Sequence, residues 1–113
     1  MLFRSEVRPA NFCDLGGGGD AQGVVDALEV ISADQQVRSI LFNIFAGITR
    51  CDVVAEGILQ ALSQITIEHP IVVRFDGTNA EEGREILAGA APPNLHVEPT
   101  MLDAARKAVE LAA

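Results

Sequence analysis

"SILFNIFAGITRCDVVAEGIL", residues 39–59, decides the fold of this chain. Its first seven residues, 39–45, form a continuous apolar run, as expected of a strand buried on both faces. Ala46-Gly47 ends the run. Beyond it Val54, Ile58, Ala61, Leu62 and Ile65 recur at the spacing of one helical face. A buried strand that passes into an amphipathic helix through a short turn is one half of a βαβ unit. Thr49 is placed to cap that helix, and Asp52 to bond back in a variant of the capping box. Arg50 then falls in the first turn, where the helix dipole is positive and carboxylates are the favoured side chains. A cation in that position calls for a partner.

The same unit recurs on either side. "ANFCDL" (10–15) reads as a strand and "GGGGD" (16–20) as a tight turn. Asp20 is placed to N-cap a helix with Val24, Leu28 and Ile31 on one face. "IVVRF" (71–75) is a third strand, entered through His69-Pro70. "NAEE" (79–82) opens a helix with Ile86 and Leu87 facing inward, with Asn79 as its cap and Pro92-Pro93 as its stop. "LHVE" (95–98) is a weaker strand, and "TMLD" (100–103) opens a last helix that should bury Val109 and Leu111. Strand and helix alternate throughout with short connections, which implies a parallel sheet with right-handed crossovers. The expectation is a three-layer α/β/α, flavodoxin-like domain over residues 9–113. Its sheet should have four to five strands, and residues 1–8 should be a lead-in or residual linker.

Composition supports one small domain. Of 113 residues 49 % are hydrophobic, enough for a core without disulfide or metal staples. The formal net charge of −8 argues against nucleic acid and against an anionic membrane surface as partners. Cys13 and Cys51 lie in separate elements and read as free thiols of a reducing compartment, the cytoplasm or a mitochondrial matrix. No apolar run approaches the length of a membrane span.

In open α/β sheets ligands sit beyond the carboxyl ends of the strands, which directs attention to Gly16–Asp20, Ala46–Thr49, Asp76–Asn79 and Glu98–Thr100. Gly16, Gly18 and Ala21 fit the spacing of a dinucleotide fingerprint, but the acidic residue expected at the end of the second strand is missing. Gly16, Gly17 and Gly18 instead suit close approach of the backbone to a ligand or another chain. Around Gly47 the open amides of residues 48–52 form an anion site with Arg50 above it. The alternative is that Arg50 reaches solvent or pairs with a neighbouring Asp. Cys51 sits in the same turn, where a thiol pKa should fall, yet His69 and His96 lie toward the opposite edge of the sheet. A small buried cysteine is the better reading. Asp76 with Glu81, Glu82 or Glu85 matches no metal-ligand spacing, and no metal site is expected. The chain offers no nucleophile paired with a base, so no catalytic residue is assigned.

"PANFCDLGGGG", "ILFNIFAGITRCDVVAEGI", "PIVVRFDGTNAEEG" and "TMLDAARKAVE" together resemble the carboxyl-terminal CoA-ligase domain of the succinyl-CoA synthetase β subunit and its malate–CoA ligase relatives. That resemblance implies a tricarboxylic acid cycle ligase working through a phosphohistidine on a partner α subunit. The nucleotide, ATP or GTP with magnesium, would bind a separate ATP-grasp domain of the β subunit. CoA would bind the α subunit, and this domain would hold no cofactor of its own. Dicarboxylate contacts are implied at Asn11, Gly47, Ile48 and Thr49, to which the charge argument adds Arg50. "FAGI" in place of the succinate enzymes' "FGGI" leaves the acid open between succinate and malate. A chain lacking the ATP-grasp domain and α subunit should be inactive alone. The competing reading is a non-catalytic docking or assembly domain.

Overall fold

The computed structural model describes residues 21–44 and 50–112. Its elements run α1 (Ala21–Ser32), β1 (Ile40–Ile44), α2 (Cys51–Gln64), β2 (Ile71–Phe75), α3 (Ala80–Ala90), β3 (Leu95–Val97) and α4 (Met101–Ala112). The strands form one parallel sheet in the order β1-β2-β3. Three strands thus lie among the described residues, fewer than the four to five expected. The strand read at 10–15 lies outside them, as does the Asp20 cap.

Register divides the side chains between two faces, because successive residues of a strand point to opposite sides. Ile40 stands beside Ile71 and Leu95, and Phe42 beside Val73 and Val97. With Ile44 and Phe75, these residues share one cluster with Val24 and Leu28 of α1, Val54 and Ile58 of α2, and Leu87 of α3. Three helices therefore cover this face. Consecutive strands laid down in one direction by right-handed crossovers require that arrangement of α2 and α3. The other face carries Leu41, Val72 and His96 in one row and Asn43 beside Arg74 in the next. Helix α4 packs there across β2 and β1. Val72 beneath it and Ala104 on the helix itself are fully buried.

Among the described residues α4 is the helix on this face, and it lies more over β2 than over β1. Leu41 accordingly stays 37 % exposed, so β1 is not buried on both faces as its apolar run implied. Val109 and Leu111 likewise end half-buried rather than buried.

Two glycines set the helix spacing. A Cβ at Gly57 of α2 would meet Val24 Cβ at 2.8 Å and the Ala21 carbonyl oxygen at 2.9 Å, so α1 touches α2 backbone to backbone. A Cβ at Gly83 of α3 would lie 2.8 Å from the Cys51 carbonyl oxygen. That second contact presses the start of α3 against the start of α2.

At the amino edge of the sheet, Asn94 Nδ2 donates to the carbonyls of Ile67 (3.2 Å) and His69 (2.9 Å). These bonds tie the loops entering β2 and β3 together. Ser39 Oγ donates to the Ala108 carbonyl at 2.7 Å and fixes the far end of α4.

Candidate functional site

The carboxyl edge of the sheet is where β1 and β2 deliver the starts of α2 and α3. Helix α2 begins at Cys51, and its N-cap is Arg50, with extended backbone (φ −89°, ψ 121°), where the sequence pointed to Thr49 as the cap. The Arg50 side chain makes no capping bond. Its Nη2 donates instead to Asp52 Oδ2 at 2.8 Å, while the side chain stays 57 % exposed. Of the two alternatives left open by the sequence, the pairing with a neighbouring Asp is what the structure contains.

The amides at this helix start are not all open. Cys51 N–H donates to the Thr78 carbonyl at 3.0 Å, and Val54 N–H closes the first helical bond on the Arg50 carbonyl. Asp52 places a carboxylate at the positive end of the dipole, the arrangement helix electrostatics favours. So the positive end is met from within the chain, and Arg50 balances the carboxylate rather than standing alone on the dipole.

Asn79 completes the cluster in a way the sequence did not suggest. It occupies the N-cap position of α3 in the left-handed region (φ 58°, ψ 31°) and makes no capping bond. Its Nδ2 reaches across to Asp52 Oδ1 at 3.1 Å. The capping-box reading of 79–82 is therefore corrected. The left-handed backbone turns the Asn79 amide away from its own helix and toward α2. Both carboxylate oxygens of Asp52 are now engaged, one by each partner. The Asn79 amide holds the Asp52 carboxyl below the ordinary carboxylate range, and Arg50 adds to the effect against opposing desolvation.

Cys51 is fully buried. Burial pushes its thiol up despite the nearby Arg84 charge, the opposite of the lowering expected from its place in the first turn. The reading of a small buried free cysteine holds. His69 precedes β2 and His96 lies within β3, both toward the edge away from Cys51.

On the sheet face under α4, Arg74 Nη1 donates to Asn43 Oδ1 (3.3 Å) and Nη2 to Asp76 Oδ2 (3.1 Å). Its Nε is buried without a partner. Arg84 Nη1 donates to the Phe75 carbonyl at 2.8 Å, closing the end of β2. Among the described residues, no three His, Cys, Asp or Glu side chains are grouped to hold a metal ion. No helix among them is long and apolar enough to cross a membrane. An open depression of about 550 Å³ lies at the opposite edge, between Leu62–Ile67 and Pro92–Asn94, away from this cluster.

Of the residues singled out from sequence, Arg50 is brought to the carboxyl edge as expected. Asn11, Gly16, Gly17, Gly18, Gly47, Ile48 and Thr49 lie outside the described residues. Sequence reasoning missed Asn79 as a partner of Asp52. It also missed Gly83, whose position six residues after the turn glycine Gly77 was the available signal.

The parallel sheet and the helix starts at its carboxyl edge are the architecture expected of the resemblance, and residues 1–108 match the family described as CoA-ligase. The chain belongs to the CoA-ligase family. This CoA-ligase domain is similar to the β subunit of an ADP-forming succinate–CoA ligase from Rubrobacter xylanophilus. The two are 61 % identical over 112 residues, which is 99 % of this chain and 29 % of that protein. It is also similar to subunit beta 2 of an ADP-forming succinate–CoA ligase from Streptomyces coelicolor, at 50 % over 106 residues, 94 % of this chain and 28 % of the relative. The domain thus spans under a third of the length of these curated relatives.

Proposed function

We propose that this domain forms part of the β subunit of an ADP-forming succinate–CoA ligase and supplies an anion contact at the start of α2. Succinate is the acid, ATP the nucleotide, and an α subunit carries the phosphohistidine and binds CoA. The relatives from Rubrobacter xylanophilus and Streptomyces coelicolor support that choice of acid and nucleotide over malate and GTP. An ATP-grasp domain of the same subunit completes the enzyme, and the chain alone is inactive.

The observation that carries the reading is the placement of Arg50. A guanidinium 57 % exposed at the N-cap of a helix keeps free donors toward solvent while one of its arms is held by Asp52. A phosphoryl group or substrate carboxylate arriving at this edge meets the exposed donors of the Arg50 guanidinium. The chemistry asked of the chain is electrostatic. Transferring phosphoryl oxygens gain charge stabilisation from donors already in place. No proton is moved by this domain and no covalent bond is formed to it. Asn11, Gly47, Ile48 and Thr49 are assigned the substrate carboxylate by the family resemblance, and Gly16, Gly17 and Gly18 the close approach of backbone to the same site.

The test is a chimaera in which this domain replaces the matching segment of the Rubrobacter xylanophilus β subunit, assembled with its α subunit. Phosphate release is then followed with ATP, CoA and either succinate or malate. Turnover that needs CoA and succinate is the expected result. An assembled complex that turns over neither acid would leave a docking module, and turnover with malate alone would reassign the substrate.

A further inference from the structure

We infer that Asp52 and Asn79 are positioning residues for Arg50, forming a chain of contacts that runs from the start of α3 to the guanidinium at the start of α2. The inference rests on the role proposed for Arg50 and extends it to two residues that touch no substrate.

The geometry is specific. Asp52 accepts from Arg50 Nη2 at 2.8 Å on one oxygen and from Asn79 Nδ2 at 3.1 Å on the other. An exposed arginine ordinarily samples many rotamers, and ordering it costs conformational entropy. Here one arm is tied to a carboxylate that is itself tied to a second helix. Asp52 is the more buried member, with its side chain 18 % exposed against 57 % for Arg50. It is therefore the anchor, and Arg50 the group it orients.

Asn79 sits at a cap position without acting as a cap. Its backbone is left-handed, a conformation that Asn tolerates better than other non-glycine residues, and its side chain leaves the α3 amides uncapped. What it gains is the bond to Asp52. The two helix starts are locked into one frame by two further contacts. Cys51 N–H donates to the Thr78 carbonyl, and the Gly83 backbone lies against the Cys51 carbonyl. Asn79 thus holds Asp52 from a platform that cannot drift relative to α2. The amide also fixes which carboxylate oxygen remains for Arg50.

The experiment is a cycle of substitutions in the complete chimaeric ligase, reading kcat and thermal midpoint together. Asn79→Gly keeps the left-handed backbone accessible while deleting the amide, and Asp52→Asn keeps the size while weakening the hold on Arg50. Each should lower kcat about ten- to a hundredfold, by analogy with the loss seen when partners that orient a metal ligand are removed. In an Arg50→Ala background neither should lower kcat further, because residues acting through one another are not additive. Loss of thermal midpoint with unchanged kcat would make the cluster structural and overturn the inference. So would losses that multiply with that of Arg50→Ala. If Arg50→Ala itself leaves kcat unchanged, the proposed role of Arg50 fails first, and the two failures are distinguishable.

Discussion

Helices α2 and α4 solve the same problem by different means. Both begin at the carboxyl edge of the sheet and must satisfy amides that have no helical partner. At α4 the solution is local. Thr100 Oγ1 accepts the N–H of Asp103 at 3.1 Å, and Met101 and Leu102 point outward, 42 % and 59 % exposed. At α2 the N-cap side chain accepts nothing, and the Cys51 amide is satisfied by the Thr78 carbonyl from the loop after β2. The acid of its first turn is shared between Arg50 and Asn79. A helix start built by a neighbouring loop is rigid relative to that loop, whereas a self-capped start answers only to its own helix. The candidate site lies at the first kind.

The largest effects should appear where α2 and α3 touch. Gly83→Ala would force a Cβ to 2.8 Å from the Cys51 carbonyl oxygen, so backbone must move. A net loss of about 2 kcal/mol is expected in chemical denaturation, overpacking outweighing the helix-propensity gain of about 1 kcal/mol. Gly89→Ala, in the same helix with nothing within 4 Å of its added carbon, should instead gain up to about 1 kcal/mol. Equal effects at the two glycines would remove the close approach as the explanation.

Next comes the cap comparison. Thr100→Ala should cost about 1 kcal/mol, the usual loss for a side-chain N-cap. Arg50→Ala should change the stability of the isolated domain by well under that, since exposed ion pairs contribute little and are screened. A larger loss from Arg50→Ala would show that α2 relies on its own N-cap after all.

These differences mark what was legible beforehand. The strands at 40–44 and 71–75, the buried stripe of α2 through Val54, Ile58 and Ala61, and the opening of a last helix at 100–103 all follow from local pattern. Local pattern also gave the buried Cys51. It could not give Asn79, because the residues 79–82 satisfy a capping signature and only the fold brings Asp52 within reach. It misjudged Leu41 for a related reason. An apolar run signals burial but not which neighbour covers each face, and α4 leaves the β1 side partly open. The thiol pKa went the wrong way because the helix-end argument omits desolvation, which Gly83 and its helix impose by packing on Cys51.

The smallest effect is on acid stability. Asp52 has a folded pKa below its unfolded value, chiefly through the Asn79 amide. Its stabilising contribution is then present above the ordinary carboxylate range, about pH 4, and lost as pH falls through the lowered folded value. Asp52→Asn should therefore differ from the parent domain at neutral pH and converge with it in acid. Parallel curves down to pH 2 would mean that Asp52 is not held in its charged form.

The most direct measurement of the central claim is kcat of the complete chimaeric ligase carrying Arg50→Ala, with its assembly and thermal midpoint checked in the same preparation. Removing one preorganised donor from a transferring charge typically lowers the rate about 10²–10³-fold. A fall of that size at unchanged stability is the result expected of a guanidinium that meets the phosphoryl or carboxylate group. Unchanged kcat in the assembled enzyme would contradict the account and leave Arg50 as the surface partner of Asp52.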